Sequence, residues 1–126
     1  MRLDHFNITG PMELLEAAKT FYTEVLGLTV GPRPQVPVRG YWLYAGDQAI
    51  LHLAEGEAVA AQGGYLDHLA YACDDLAGLQ ARLAQCNVPH TVNCFEAVKF
   101  TQIFLHDPAG IGVELNFHAQ LPAAAP

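Results

Sequence analysis

The feature that most constrains this chain is an internal repeat. Leu3-Asp4-His5-Phe6-Asn7-Ile8 returns in the second half as Leu66-Asp67-His68-Leu69-Ala70-Tyr71, the same triplet leading each time into a strand-like run. A second landmark recurs at almost the same spacing, since Ile50-Leu51-His52-Leu53 is answered by Gly112-Val113-Glu114-Leu115. Each half therefore opens with a histidine in an apolar, strand-like run and closes with a histidine or a carboxylate in another. A fold built from this chain has to accommodate two copies of one unit.

Alternation and spacing supply the elements. Leu3 to Ile8 reads as a strand with Phe6 and Ile8 on one face and His5 and Asn7 on the other. Leu14, Ala18, Phe21 and Val25 recur at helical spacing, Glu13 and Glu16 sit early in that helix, and Gly27 ends it. Three prolines between Gly31 and Pro37 predict an extended loop. Tyr41 to Tyr44 and Ala49 to Leu53 predict a hairpin around Ala45-Gly46-Asp47-Gln48. Glu55 to Gly64 is the connection between the halves.

The second half repeats the order. A strand at Leu66 to Ala72 leads to an N-cap at Asp74 or Asp75, and a helix carries Leu76, Leu79, Leu83 and Cys86 on its apolar face before ending at Asn87. Strands follow over Val88 to Val92, Phe95 to Phe100 and Gln102 to Leu105, then an Asp107-Pro108-Ala109-Gly110 turn and a closing strand over Ile111 to Phe117. The class is α+β, with two βαβββ modules at residues 1–58 and 64–118 of a single domain. Their sheets together form a curved, cup-shaped mixed sheet with the helices outside, and 119–126 is a flexible tail.

Composition narrows the partners. Six Lys plus Arg against 13 Asp plus Glu give a formal charge of −7, with no basic stripe to follow a phosphate backbone, so neither nucleic acid nor an anionic membrane is an expected partner. No segment approaches the roughly 20 apolar residues of a membrane helix, and no leader is evident, so a cytoplasmic location is expected. Cys73, Cys86 and Cys94 are odd in number and show no CxxC spacing, which argues against a thiolate metal site.

The chemistry then rests on His5, His52, His68 and Glu114, all turned away from the apolar faces of their strands. A carboxylate inside an apolar strand is costly unless it is paired or bound to a metal. A pair with a histidinium or an arginine is the structural alternative for Glu114. A divalent ion answers the chemistry better, because neutral imidazoles and a carboxylate suit iron, zinc, manganese, nickel or cobalt at about 2.0–2.3 Å. Two histidines and a carboxylate on one side of the ion are the pattern of non-haem iron oxygenases. His90, His106 and His118 read as surface residues.

With Leu3-Asp4-His5, Phe21-Tyr22-Thr23-Glu24-Val25-Leu26-Gly27-Leu28, Leu66-Asp67-His68 and Asp107-Pro108-Ala109-Gly110 leading to Glu114-Leu115, the chain resembles the vicinal oxygen chelate superfamily from about Met1 to Phe117. That superfamily includes glyoxalase I, extradiol dioxygenases, fosfomycin-resistance transferases and bleomycin-resistance proteins. The resemblance implies paired modules, a homodimer, and a divalent metal chelated by vicinal oxygens of a small-molecule substrate. It places His5, His68 and Glu114 as metal ligands, with Fe2+ favoured over Mn2+, Ni2+, Zn2+ or Co2+. His52 is then a general base or a fourth ligand. It stands where glyoxalase I has a glutamate, and in the region where extradiol dioxygenases carry a histidine acid/base. Extradiol-like dioxygenase chemistry is favoured, with glyoxalase-type isomerase or lyase chemistry second and a metal-free binding or resistance protein as the other class. The chain departs from the dioxygenases at Phe104, where they place a tyrosine before the Asp-Pro turn. Trp42 and Phe104, at equivalent places in the two copies of the repeat, are expected to line the substrate pocket together with Asn7.

Overall fold

The structure, a computed structural model, describes residues 3–57 and 68–123. The chain divides into two compact units, Met1–Gly64 and Tyr65–Pro126.

In the first unit β1 (Phe6–Gly10) is followed by α1 (Met12–Thr20), a π-type turn over Phe21–Val25, β2 (Thr29–Gly31), β3 (Gly40–Ala45) and β4 (Gln48–Glu55). The strands form one mixed sheet in the order β1-β4-β3-β2, with β1 parallel to β4. β1 runs on to Gly10, beyond the expected break at Thr9. A side chain at Gly10 would meet Leu14 Cδ2 at 2.9 Å, so the bare glycine lets the chain turn straight from strand into helix.

The helix buries a different stripe from the expected one. Leu15, Ala18, Tyr22 and Val25 are fully or almost fully buried, while Leu14 and Phe21 are only half-buried. Apolar residues at 14, 15, 21 and 22 make two stripes possible, and contact with β1, β3 and β4 selects one of them. The turn widens where Thr23 Oγ1 donates to the Lys19 carbonyl, and the element ends at Gly27, whose φ of +79° suits a glycine. Beneath the helix lie Ile8, Leu43, Leu51 and Leu53, all buried. Each such side chain contributes roughly 1.5–3 kcal/mol. The expected hairpin forms with Ala45 paired to Gln48, and Gly46, at φ +61°, takes the first place of its two-residue turn.

The second unit repeats the plan with β5 (His68–Ala72), α2 (Leu76–Gln85), β6 (Thr91–Phe95), β7 (Phe100–His106) and β8 (Gly112–His118). Its sheet order is β5-β8-β7-β6, with β5 parallel to β8. Leu66 and Asp67, expected to open the strand, lie outside the described residues, as does most of the connecting segment. Asp75 is the N-cap, and its carboxylate accepts from the Gly78 amide at 2.9 Å. Leu76, Leu79 and Leu83 are buried. Cys86, expected on that face, is exposed because the helix stops at Gln85 and Asn87 takes a left-handed φ of +52°. The expected strand over Phe95 to Phe100 is interrupted, since Glu96–Val98 makes a 3-10 turn closed by left-handed Lys99. The α+β class and the βαβββ order are thus those expected from the sequence.

The Asp-Pro-Ala-Gly turn is built around a buried aspartate. Asp107 accepts from the Ile111 amide through its side chain and from the Gly110 amide through its carbonyl, and Gly110 has φ +81°. It delivers the chain into β8, where Val113, Leu115 and Phe117 join the core. Gln120 anchors the segment beyond, accepting from the Leu76 amide and donating to the Asp74 carbonyl, while its own carbonyl accepts from Thr101.

Candidate metal and substrate site

Strand register explains why the marked residues meet in pairs. In the parallel β1–β4 pair Asn7 lies beside His52, and in β5–β8 Ala70 lies beside Glu114. Residues two apart share a face of a strand, so His5 reaches toward His52 and His68 toward Glu114 by the same diagonal step. The duplication seen in the sequence is a duplication of this geometry.

In the second unit His68 Nε2 lies 3.0 Å from Glu114 Oε2, with Glu114 buried at 8% exposure. The other carboxylate oxygen accepts from Gln102 Nε2 at 2.8 Å. Gln102 sits on β7 two residues before Phe104, which is the register partner of Glu114. The Phe104 ring stands edge-on to His68, with centroids 6.4 Å apart. The contact that the structural alternative for Glu114 requires is therefore made, and it is an ion pair when His68 is protonated. The same 3.0 Å is also the spacing of two neighbouring ligands each about 2.1 Å from one ion, so a cation can take the proton's place between them.

In the first unit three rings stack. His5 lies on His52 with centroids 3.9 Å apart and planes 14° from parallel, and His52 lies on Trp42 at 4.0 Å and 6°. Trp42 is the register partner of His52 on β3. His5 precedes β1 and is exposed, and its Nδ1 donates to Asp4 Oδ2 at 2.7 Å, which fixes the tautomer and leaves Nε2 as the ligating atom. Nearly parallel imidazoles cannot both aim an in-plane lone pair at one ion, so His5 has to turn before both rings can ligate. Burial holds the His52 pKa below the usual imidazole value, with further lowering by His5 and Arg33, while a hydrogen bond to the Ala49 backbone and the charge of Asp4 oppose it. A neutral imidazole is the form that ligates a metal or accepts a proton. Asn7 shares the His52 face, and its amide donates to Thr9 Oγ1.

Among the described residues no three or more of His, Cys, Asp and Glu gather in position to hold an ion. Each unit supplies a pair of donors whose chemistry suits a divalent metal. His90, His106 and His118 are exposed, as expected. Sequence reading missed Gln102 and Asp4, which orient Glu114 and His5. The signal for Gln102 was its place on the Phe104 face of one strand, and for Asp4 its adjacency to His5.

The sequence matches the model of the Glyoxalase/Bleomycin resistance protein/Dioxygenase superfamily over residues 2–115. Solved structures share the fold at low identity. A Bacillus anthracis protein assigned to the glyoxalase family is 19% identical with a TM-score of 0.70, over 94% of this chain and 95% of that one. Lactoylglutathione lyase from Agrobacterium tumefaciens is 20% identical with a TM-score of 0.63, over 92% of each chain. TnmS3, an antibiotic binding protein from Streptomyces sp. CB03234, is 22% identical with a TM-score of 0.66, over 94% and 96%. Among curated protein sequences none matches significantly. With the family match covering nearly the whole sequence, and with two βαβββ units in the structure, the chain belongs to the Glyoxalase/Bleomycin resistance protein/Dioxygenase superfamily.

Proposed function

We propose that the protein is a divalent-metal-dependent enzyme acting on a small molecule that chelates the ion through two adjacent oxygens. His5, His68 and Glu114 would hold the ion, with His52 as fourth ligand or general base. The observation that carries this reading is the His68–Glu114 pair, a buried carboxylate and an imidazole at ligand spacing, with its duplicate at His5 and His52. Iron(II) is the favoured ion, because a histidine and carboxylate set with open positions suits oxygen chemistry. When bound, such an ion lowers the pKa of a substrate hydroxyl and stabilises the anion that forms.

The chain's own residues do the rest. Glu114 is held by Gln102, His5 by Asp4, and His52, kept neutral by its surroundings, accepts the proton the substrate releases. Trp42, Phe104 and Asn7 line the substrate. Extradiol-like ring cleavage is the favoured reaction and glyoxalase-type isomerisation or lyase chemistry the second. The protein acts as a homodimer in the cytoplasm, and its modules fold as one domain.

The stacked His5–His52–Trp42 arrangement favours one reading of another class, a metal-free binding protein whose rings hold a flat ligand. One structural neighbour binds an antibiotic. The test is metal content per chain after anaerobic purification without chelator or a metal-binding tag, in wild type and in His68→Ala. Near-stoichiometric iron that His68→Ala abolishes, together with oxygen uptake on catechols, is the expected result. Nickel, cobalt or zinc would redirect the search to 2-oxoaldehyde adducts. Failure to take up Fe(II), Mn(II), Ni(II) or Zn(II) would leave the binding protein.

A further inference from the structure

Arg33 opens the proline-rich loop between β2 and β3, and the structure leaves part of its guanidinium unused. Nη2 donates to the Val38 carbonyl at 2.9 Å, which ties the loop's two ends together, while the Tyr44 hydroxyl donates to the Pro32 carbonyl at its foot. Nε is buried and has no hydrogen-bond partner. Lys19 and Arg39, by contrast, sit on Glu16 and Glu55, whereas among the described residues no carboxylate is paired with Arg33. A permanently charged group with a buried, unanswered donor is a costly arrangement unless something else supplies the acceptor.

Three further observations say what that acceptor is and where it comes from. A shallow depression open to solvent is lined by Arg33, Pro34, Gln35, Val36 and Pro37, so a small group has room against the Arg33 side of the loop. Residues 34–39 are exposed, so the depression is open to a ligand from solvent. Gly31, two residues before Arg33, is the register partner of Trp42, which brings the start of the loop next to the ring that stacks on His52, and the Arg33 charge is among the influences that lower the His52 pKa. The planar guanidinium fork matches a carboxylate or a phosphate-type group, and in a chain of formal charge −7 an anion needs such a local cation to be held.

We infer that Arg33 is an oxyanion-binding residue, and that the ligand of this protein carries a carboxylate or a phosphate-type group that seats on the Arg33 guanidinium within the 32–39 loop. The inference rests on the small-molecule site proposed above and adds its substrate class, an anionic one.

Trp42 is the sole tryptophan and stacks on His52, so its fluorescence reports on the site. The experiment titrates inorganic phosphate, malonate and phosphonoacetate, at ionic strength fixed with sodium chloride, into wild type, Arg33→Gln and Arg33→Lys. It is run with and without added Mn(II), with metal stoichiometry measured on the same samples. A saturable change in wild type with at least one probe is expected. Its Kd should rise at least tenfold in Arg33→Gln and by less in Arg33→Lys, which keeps the charge but not the fork. Whether malonate or the phosphate-type probes saturate assigns the anion. Equal Kd values in wild type and both variants, or no saturable response in wild type, overturn the inference. An Arg33-dependent response in protein that takes up no metal sustains this inference and removes the metal reading. Metal uptake without any anion response does the reverse.

Discussion

At the scale of single residues, two of the candidate donors are oriented by a side chain that is not itself a candidate ligand, Glu114 by Gln102 and His5 by Asp4. Gln102 is the donor that holds Glu114 Oε1, and a partner of this kind is worth roughly 10- to 100-fold in metal affinity. Gln102→Leu should therefore weaken binding of Mn(II) by about tenfold in a titration while leaving all four candidate ligands in place. Unchanged affinity would reduce Gln102 to a packing residue. His52 makes a prediction of definite sign. Its folded-state pKa lies below the unfolded value of 6.5, so above that value both states are neutral and nothing is gained or lost. As pH falls through the unfolded value the unfolded chain takes up the proton first, and the folded state loses stability until its own lower pKa is passed. Metal-free wild type should therefore lose more of its urea midpoint between pH 7.5 and 5.0 than His52→Gln does.

At the scale of elements, α2 shows a cap and a glycine that depend on each other. Removing the Asp75 cap by Asp75→Ala should cost about 1 kcal/mol. That corresponds to a drop in Tm of about 4 °C. Gly78→Ala ordinarily gains up to about 1 kcal/mol inside a helix. Here a methyl at Gly78 would stand 2.0 Å from Asp75 Oδ2, so the capping carboxylate would have to leave. Gly78→Ala alone should not raise Tm, whereas in the Asp75→Ala background it should, and simple additivity in the double-mutant cycle would contradict the steric argument. The same element scale explains α1, where neighbouring apolar positions offered two stripes and the sheet beneath chose Leu15 and Tyr22.

For the whole molecule, the duplication gives the proposed ion a donor pair in each unit, and linkage makes that testable through stability. A ligand present at about 100 times its Kd stabilises the folded state by about 2.7 kcal/mol. Mn(II) at that excess should raise Tm and a chelator should reverse the rise. If one ion is shared by both pairs, His5→Ala in the first unit and His68→Ala in the second should each abolish the shift. Loss in only one of them would assign the ion to that unit alone.

Much of this was already present in the order of residues. The two-residue and helical periods are local properties, so strands, helices, the hairpin and the Asp-Pro turn could be read directly. The repeat marked His5, His52, His68 and Glu114 because each stands against the apolar alternation of its own strand. Tertiary structure decided what depends on register, rotamer and loop path. Only the strand pairing puts Gln102 on Glu114, and only the packing stacks His52 between His5 and Trp42. Arg33 lies well before His52 in the chain and belongs to no periodic pattern, so its buried Nε became visible only once the loop had folded back on Val38. Periodicity reports which way a side chain faces, and what it meets there is set by segments remote in sequence.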